Sequence, residues 1–187
     1  MLEEGYAAVT SRRVAAAAGL KPQLVHYYFR TMDDLFLALY RSRAEVGLEL
    51  HGQAAASDQP LWAFWDLSRD SRGTRLTMEF IALANHRKEI RAEIAASAER
   101  FRADELKGIK AALSRYDVDQ VRYPPLVCTF LMTAISQFLV IEHDILGMTT
   151  GHAETVAFVE ELLTTLEGPR PRRKRANGGE PARAGVS

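Results

Sequence analysis

Apolar residues recur at three- and four-residue spacing along nearly the whole of this 187-residue chain, and no alternating run bounded by hairpin turn signals interrupts them. An all-α fold is expected. Helical patterns fall at about 11–18, 22–29, 32–50, 60–69, 75–86, 88–115, 122–146 and 152–167, punctuated by Gly19, Pro22, Thr31, Pro60, Gly73, Pro124 and Gly151. Hydrophobic residues make up 47% of the chain, enough for one ordinary core or a small module joined to a larger one, and disorder throughout is excluded.

The stretch from Leu126 to Ile141 is apolar almost all round, so a helix there must be buried on two sides. One side belongs to its own domain, and a second copy of the chain is expected on the other. Val127, Leu131, Ile135 and Leu139, joined by Val159, Leu162 and Leu163 of the last pattern, are expected to form a four-helix dimer interface. At 16 residues, interrupted by Thr129, Thr133, Ser136 and Gln137, the stretch is shorter than the roughly 20 needed to span a bilayer, and no membrane partner is expected. Trp62, Trp65, Phe80, Phe130 and Phe138 are candidates to line a cavity for a small apolar effector, although each is individually as much at home in a plain core.

Cys128 is the only cysteine, which excludes an internal disulfide and fits a reducing compartment. The start lacks a basic n-region and an apolar h-region, so a cytoplasmic protein is expected. Glu142-His143-Asp144 and the pair His86 and Glu89 fall short of a metal ligand set. No phosphate-cradling loop and no nucleophile-base-orienter set is present, so neither a cofactor nor an enzyme is expected.

Residues 10–30 carry the most information. Thr10 is placed to cap a short helix whose apolar side is Val14, Ala15 and Ala18, Gly19 supplies the left-handed residue that ends it, and Pro22 opens a second helix. Two short helices joined by such a turn describe a helix-turn-helix. Thr31 with Asp34 makes a capping box for the long helix that follows. On the second helix Val25 and Phe29 are expected inward with Leu20, leaving Gln23, Leu24, Tyr27 and Tyr28 outward on an element short enough to enter a major groove. The segment holds four basic side chains, Arg12, Arg13, Lys21 and Arg30, and no acidic one. Arg12 and Arg13 lie in the first turn of their helix, where cations are disfavoured by roughly 0.3–1 kcal/mol each unless a phosphate approaches.

These residues resemble the DNA-binding domain of the tetracycline-repressor (TetR) family, from about Glu3-Glu4-Gly5-Tyr6 through Val14-Ala15, Ala18-Gly19-Leu20 and His26-Tyr27-Tyr28-Phe29 to Leu35. The resemblance implies a homodimeric regulator of transcription, with double-stranded DNA and a small apolar effector as partners. It further implies that Gln23, Leu24 and Tyr27 touch bases, while Ser11, Arg12, Pro22, His26 and Tyr28 lie against the sugar-phosphate backbone or support the helix; Thr10 and Lys21 belong to the same surface. Three departures stand out. His26 and Tyr28 exchange the residue types common at those positions, Met32 replaces a frequent lysine, and the family's first helix is almost absent ahead of Gly5. The last departure is expected to reflect a start placed too late.

The organisation expected is a DNA-binding head at 1–45, a helical effector-binding and dimerisation body at 46–167, and a disordered basic tail at 168–187. The formal net charge of zero is then an average over a positive head, an acidic body with 12 basic and 17 acidic residues at 51–167, and a tail with six basic and one acidic. The competing reading is a ligand-binding or interaction dimer whose head is vestigial.

Overall fold

The computed structural model describes residues 1–171; the basic cluster from Arg172 to Arg175, and the rest of the tail, lie outside the described residues. Eight α-helices follow a single 3-10 turn at Tyr6–Ala8: α1 Ser11–Ala17, α2 Pro22–Tyr28, α3 Met32–Ala55, α4 Pro60–Ser68, α5 Ser71–Ala84, α6 Lys88–Arg115, α7 Pro125–Ile141 and α8 His152–Glu167. A π-turn at Glu142–Leu146 extends α7. No strand is present among the described residues, and the fold is all-α.

Local chemistry explains most boundaries. The Thr31 hydroxyl accepts from the Asp34 N–H at 3.1 Å while the Asp34 carboxylate accepts from the Thr31 N–H at 2.9 Å, a complete capping box at the start of α3. Two boundaries move from their expected places. α3 runs on to Ala55, because Ala54 still has an apolar cluster to join. α5 begins at Ser71 rather than near residue 75, because the Asp70 carboxylate accepts from the Gly73 N–H at 2.9 Å and caps the helix there.

Two apolar clusters hold the molecule together. The first unites Ala15, Val25, Leu35 and Phe36 with Phe80, Leu83, Ala84 and Ile90, so the head is docked on α5 and the start of α6 rather than hung from a linker. The second gathers Ala54, Leu61, Trp62, Phe64 and Trp65 against Ile109, Ala112, Leu113, Val159 and Leu163. Phe64 is wholly enclosed there, and truncating such a ring to alanine costs about 3–5 kcal/mol. α3, 24 residues and about 36 Å long, joins the two clusters, so the expected division near residue 45 falls inside one continuous helix.

The start of α4 has no side-chain cap of its own; the buried Glu167 carboxylate at the end of α8 accepts from the Leu61 and Trp62 N–H groups at 3.0 and 2.8 Å. The Trp62 indole N–H donates to the Gly168 carbonyl at 2.9 Å, and the Arg170 guanidinium lies over the Trp62 ring while pairing with Asp66 and Glu160. Residues 168–170, expected to begin a disordered tail, are instead a strap across α4, because α4 offers them donors, acidic partners and an aromatic face.

Candidate nucleic-acid interface and a second exposed surface

α1 and α2 have seven residues each and meet through the buried side chains of Ala15 and Val25. Gly19 sits between them at φ +67°, a left-handed conformation that a side chain would oppose. The Thr10 hydroxyl accepts from the Arg13 N–H at 3.3 Å, as its capping position requires.

With Val25 inward, Lys21, Pro22, Gln23, Leu24, His26, Tyr27 and Tyr28 are all exposed, and Ser11 is half-buried in the first turn of α1. The Tyr27 ring is 80% exposed and meets Tyr28 edge-on with 5.2 Å between centroids. Leu20, expected inward, is half exposed instead: it ends the turn beyond the reach of the cluster that Val25 and Phe29 join.

The two arginines of α1 have different fates. Arg13 is held by Glu4 through two contacts at 2.5 and 2.6 Å and also donates to the Ala8 carbonyl, which keeps the Glu4 carboxyl below its usual range. That pairing offsets the unfavourable place of Arg13 in the helix without a phosphate. Arg12 is exposed and forms no ion pair among the described residues. With Lys21 and Arg30 it leaves three exposed cations on a surface to which residues 10–30 contribute no carboxylate.

α7 carries a second surface. Leu126, Val127, Phe130, Leu131 and Phe138 point away from the body, Phe130 and Phe138 each 59% exposed, and Phe158 of α8 is exposed as well. Cys128, Met132, Ile135 and Leu139 pack inward on the cluster that contains Val159 and Leu163, while Leu162 is half-buried. The residues expected at the dimer interface therefore divide: Val127 and Leu131 lie outside, and Ile135, Leu139, Val159 and Leu163 belong to the chain's own core. The candidate cavity residues divide too. Trp62 and Trp65 are in one cluster, Phe80 is in the other, and Phe130 and Phe138 face outward, so the five do not line one space.

No sequence signal separates the sides of a helix that is apolar all round, and its hydroxyls mislead. Thr129 and Ser136 are fully buried because each donates to the carbonyl four residues earlier, at 2.9 and 2.6 Å, and needs no water. Burial pushes the Cys128 thiol up, so it stays protonated. The helical stretch Pro125–Leu146 reaches 22 residues with the π-turn, long and apolar enough to cross a membrane by those two measures, although one side of it is packed on the body.

One further group was not foreseen. Glu105 of α6 is buried behind α7 with the Thr133 hydroxyl 3.3 Å away, and desolvation raises its pKa to about 7, with Thr133 and Arg102 pulling the other way. An open groove of about 590 Å³ lies between the far end of α3 and α4, lined by Leu50, Gln53, Ala54, Ala63, Leu67 and Arg69 among others. Among the described residues no group of three or more His, Cys, Asp or Glu is arranged to hold a metal ion.

A seven-residue helix that buries one side and shows tyrosines, a glutamine and neighbouring cations on the other is matched in width and charge to a DNA major groove about 12 Å wide. The two short helices and the turn between them form a helix-turn-helix. Residues 1–39 match the family model for bacterial regulatory proteins of the tetR family, which supports a DNA-binding regulator of transcription. No curated protein and no solved structure matches the chain.

Proposed function

We propose that the protein is a homodimeric, cytoplasmic repressor that leaves a near-palindromic operator when a small apolar effector binds its body. The observation that carries the reading is the outward face of α2, with Gln23, Leu24, His26, Tyr27 and Tyr28 exposed and the exposed cations Arg12 of α1 and Lys21 ahead of α2; Gln23, Leu24 and Tyr27 are proposed to meet base edges and Arg12, Lys21, His26 and Tyr28 the backbone. The outer face of α7 supports the dimer, since an uncharged row of large side chains calls for an apolar partner, and twofold pairing gives it one. It also brings Phe130 and Phe138, rather than Ile135 and Leu139, to the interface.

The groove beside Leu50 and Ala54 supports effector action on α3, because an occupant there would press on the helix whose other end carries the head. Shifting α3 changes the separation of two heads that must meet half-sites one helical turn apart, and the operator-bound population falls.

DNA selected by the protein from a random pool, followed by gel shifts, tests this. Tyr27→Ala and Gln23→Ala should each cost about 1–3 kcal/mol of discrimination between selected and scrambled DNA. Unchanged binding by both variants rejects α2 as the reading helix. Absence of salt-sensitive binding by the parent protein favours the dimer with a vestigial head.

A further inference from the structure

Ser71, Arg75 and Glu79 lie four residues apart on α5 and so share one side of it. The Ser71 hydroxyl donates to the Asp144 carboxylate in the π-turn that ends α7. Arg75 donates to the Leu2 carbonyl at 2.7 Å, and the Glu79 carboxylate accepts from the Tyr6 N–H at 2.6 Å. Asp144 is held below the usual carboxylate range, chiefly by the Ser71 hydrogen bond, then by His143, with the Arg75 charge contributing. A hollow of about 260 Å³, lined by Leu2, Arg75, Met78, Glu79, Asp144 and Ile145, marks where the head, α5 and the end of α7 meet.

We propose that Glu79, with Arg75, is a positioning residue for operator recognition: it fixes the orientation of the DNA-binding head relative to α7 and thereby sets which spacing of half-sites the protein accepts. The inference rests on the DNA-binding reading above and on α7 as the pairing surface.

The apolar cluster shared by head and body supplies attraction but little direction, since such contacts tolerate small rotations. Hydrogen bonds are directional. Among the described residues, those from the body to the segment ahead of α1 are the two made by Arg75 and Glu79. The ion pairs Arg87–Asp33 and Arg41–Glu93 hold α3 instead. Gly5, at φ +75°, gives the chain the turn that aims the Tyr6 N–H at Glu79. Because Ser71 ties the other end of the same stripe to α7, the head is referenced to the surface on which two copies pair. Two heads must bind half-sites about 34–36 Å apart, so a small rotation at this junction becomes a change of register on DNA.

The full-length protein first selects palindromic DNA from a random pool, and the selected half-sites are then re-spaced by one and two base pairs in either direction. The parent protein should show a sharp optimum. Glu79→Ala should lose about tenfold or more at that optimum and flatten the profile, while binding to a single half-site and dimerisation are unchanged. Glu79→Gln keeps an acceptor oxygen and should restore the sharp profile. Arg75→Ala removes the contact to Leu2 and a charge near Asp144 while leaving the Glu79 contact to Tyr6, and should flatten it to a smaller degree, which also supplies the answer where Glu79→Ala does not fold. A uniform loss of affinity with the spacing optimum intact overturns the positioning role and leaves the DNA-binding reading standing. Failure of the parent protein to select any DNA overturns both.

Discussion

α2 and α7 both hold large apolar or aromatic side chains out to solvent, and the difference lies in what surrounds them. Around α2, Tyr27 and Tyr28 stand among Arg12, Lys21 and Arg30, with no carboxylate between residues 10 and 30. Along α7, Leu126, Val127, Phe130, Leu131 and Phe138 stand on a helix with no charged residue from Pro125 to Ile141. A polyanion with flat, stackable edges complements the first surface; only another apolar surface complements the second. Exposure of hydrophobic area alone does not distinguish a DNA-reading helix from a pairing helix, whereas the charge of its neighbours does.

The contrast is most severely tested by placing a charge on the proposed pairing surface. Burial of one phenylalanine is worth about 1.5–3 kcal/mol, and twofold symmetry counts it twice, so Phe130→Glu should weaken self-association by roughly 10²–10⁴-fold in analytical ultracentrifugation. A dimer that survives both Phe130→Glu and Leu131→Glu removes α7 from the interface.

A second difference concerns where charge is buried. The head keeps its cations at the surface, whereas Glu105 is sealed between α6 and α7 with a folded pKa of about 7. An ordinary carboxyl titrates near 4.3, so between roughly pH 4 and 7 the folded state holds a proton that the unfolded chain has lost. Stability from this group is full below that window, falls as pH rises through it, and is flat above it. Thermal melts should show Glu105→Gln more stable than the parent by about 3–4 kcal/mol at pH 8 and nearly equal at pH 4, with a flatter profile between.

The smallest effect separates the two arginines of α1. Arg12→Ala should lower the salt slope of DNA binding by about one, the signature of a lost phosphate contact. Arg13→Ala should leave that slope unchanged, because its guanidinium is already committed to Glu4. Equal slopes in the two variants would mean that DNA draws Arg13 away from Glu4.

Much of this was legible in the sequence because it is encoded locally. The helix positions follow from apolar spacing, the start of α3 from Thr31 and Asp34, and the head's turn from Gly19 and Pro22. What the sequence concealed is set by partners far along the chain. Phe80 joins the head's cluster and not that of Trp62 and Trp65, which nothing near residue 80 announces. The two sides of α7 are indistinguishable in the sequence because both are apolar: Phe130 and Phe138, expected at a cavity, face outward with Val127 and Leu131, while Ile135 and Leu139, expected at an interface, pack on the body. Glu4, an ordinary acidic residue ahead of the first turn, gives no sign that it will occupy Arg13.

The strap at Glu167 gives the chain an order of completion. The Leu61 and Trp62 N–H groups have their acceptor 106 and 105 residues further on, so during synthesis α4 emerges without a cap and stays so until the last helix follows. At about 5–20 residues per second that interval lasts roughly 5–20 s. Through it Trp62 and Trp65 await Val159 and Leu163, and a chain interrupted before Glu167 lacks the acceptor for the Leu61 and Trp62 N–H groups and the Arg170 that lies over the Trp62 ring. The capping of α4 is thus tied to a segment more than 100 residues away along the chain.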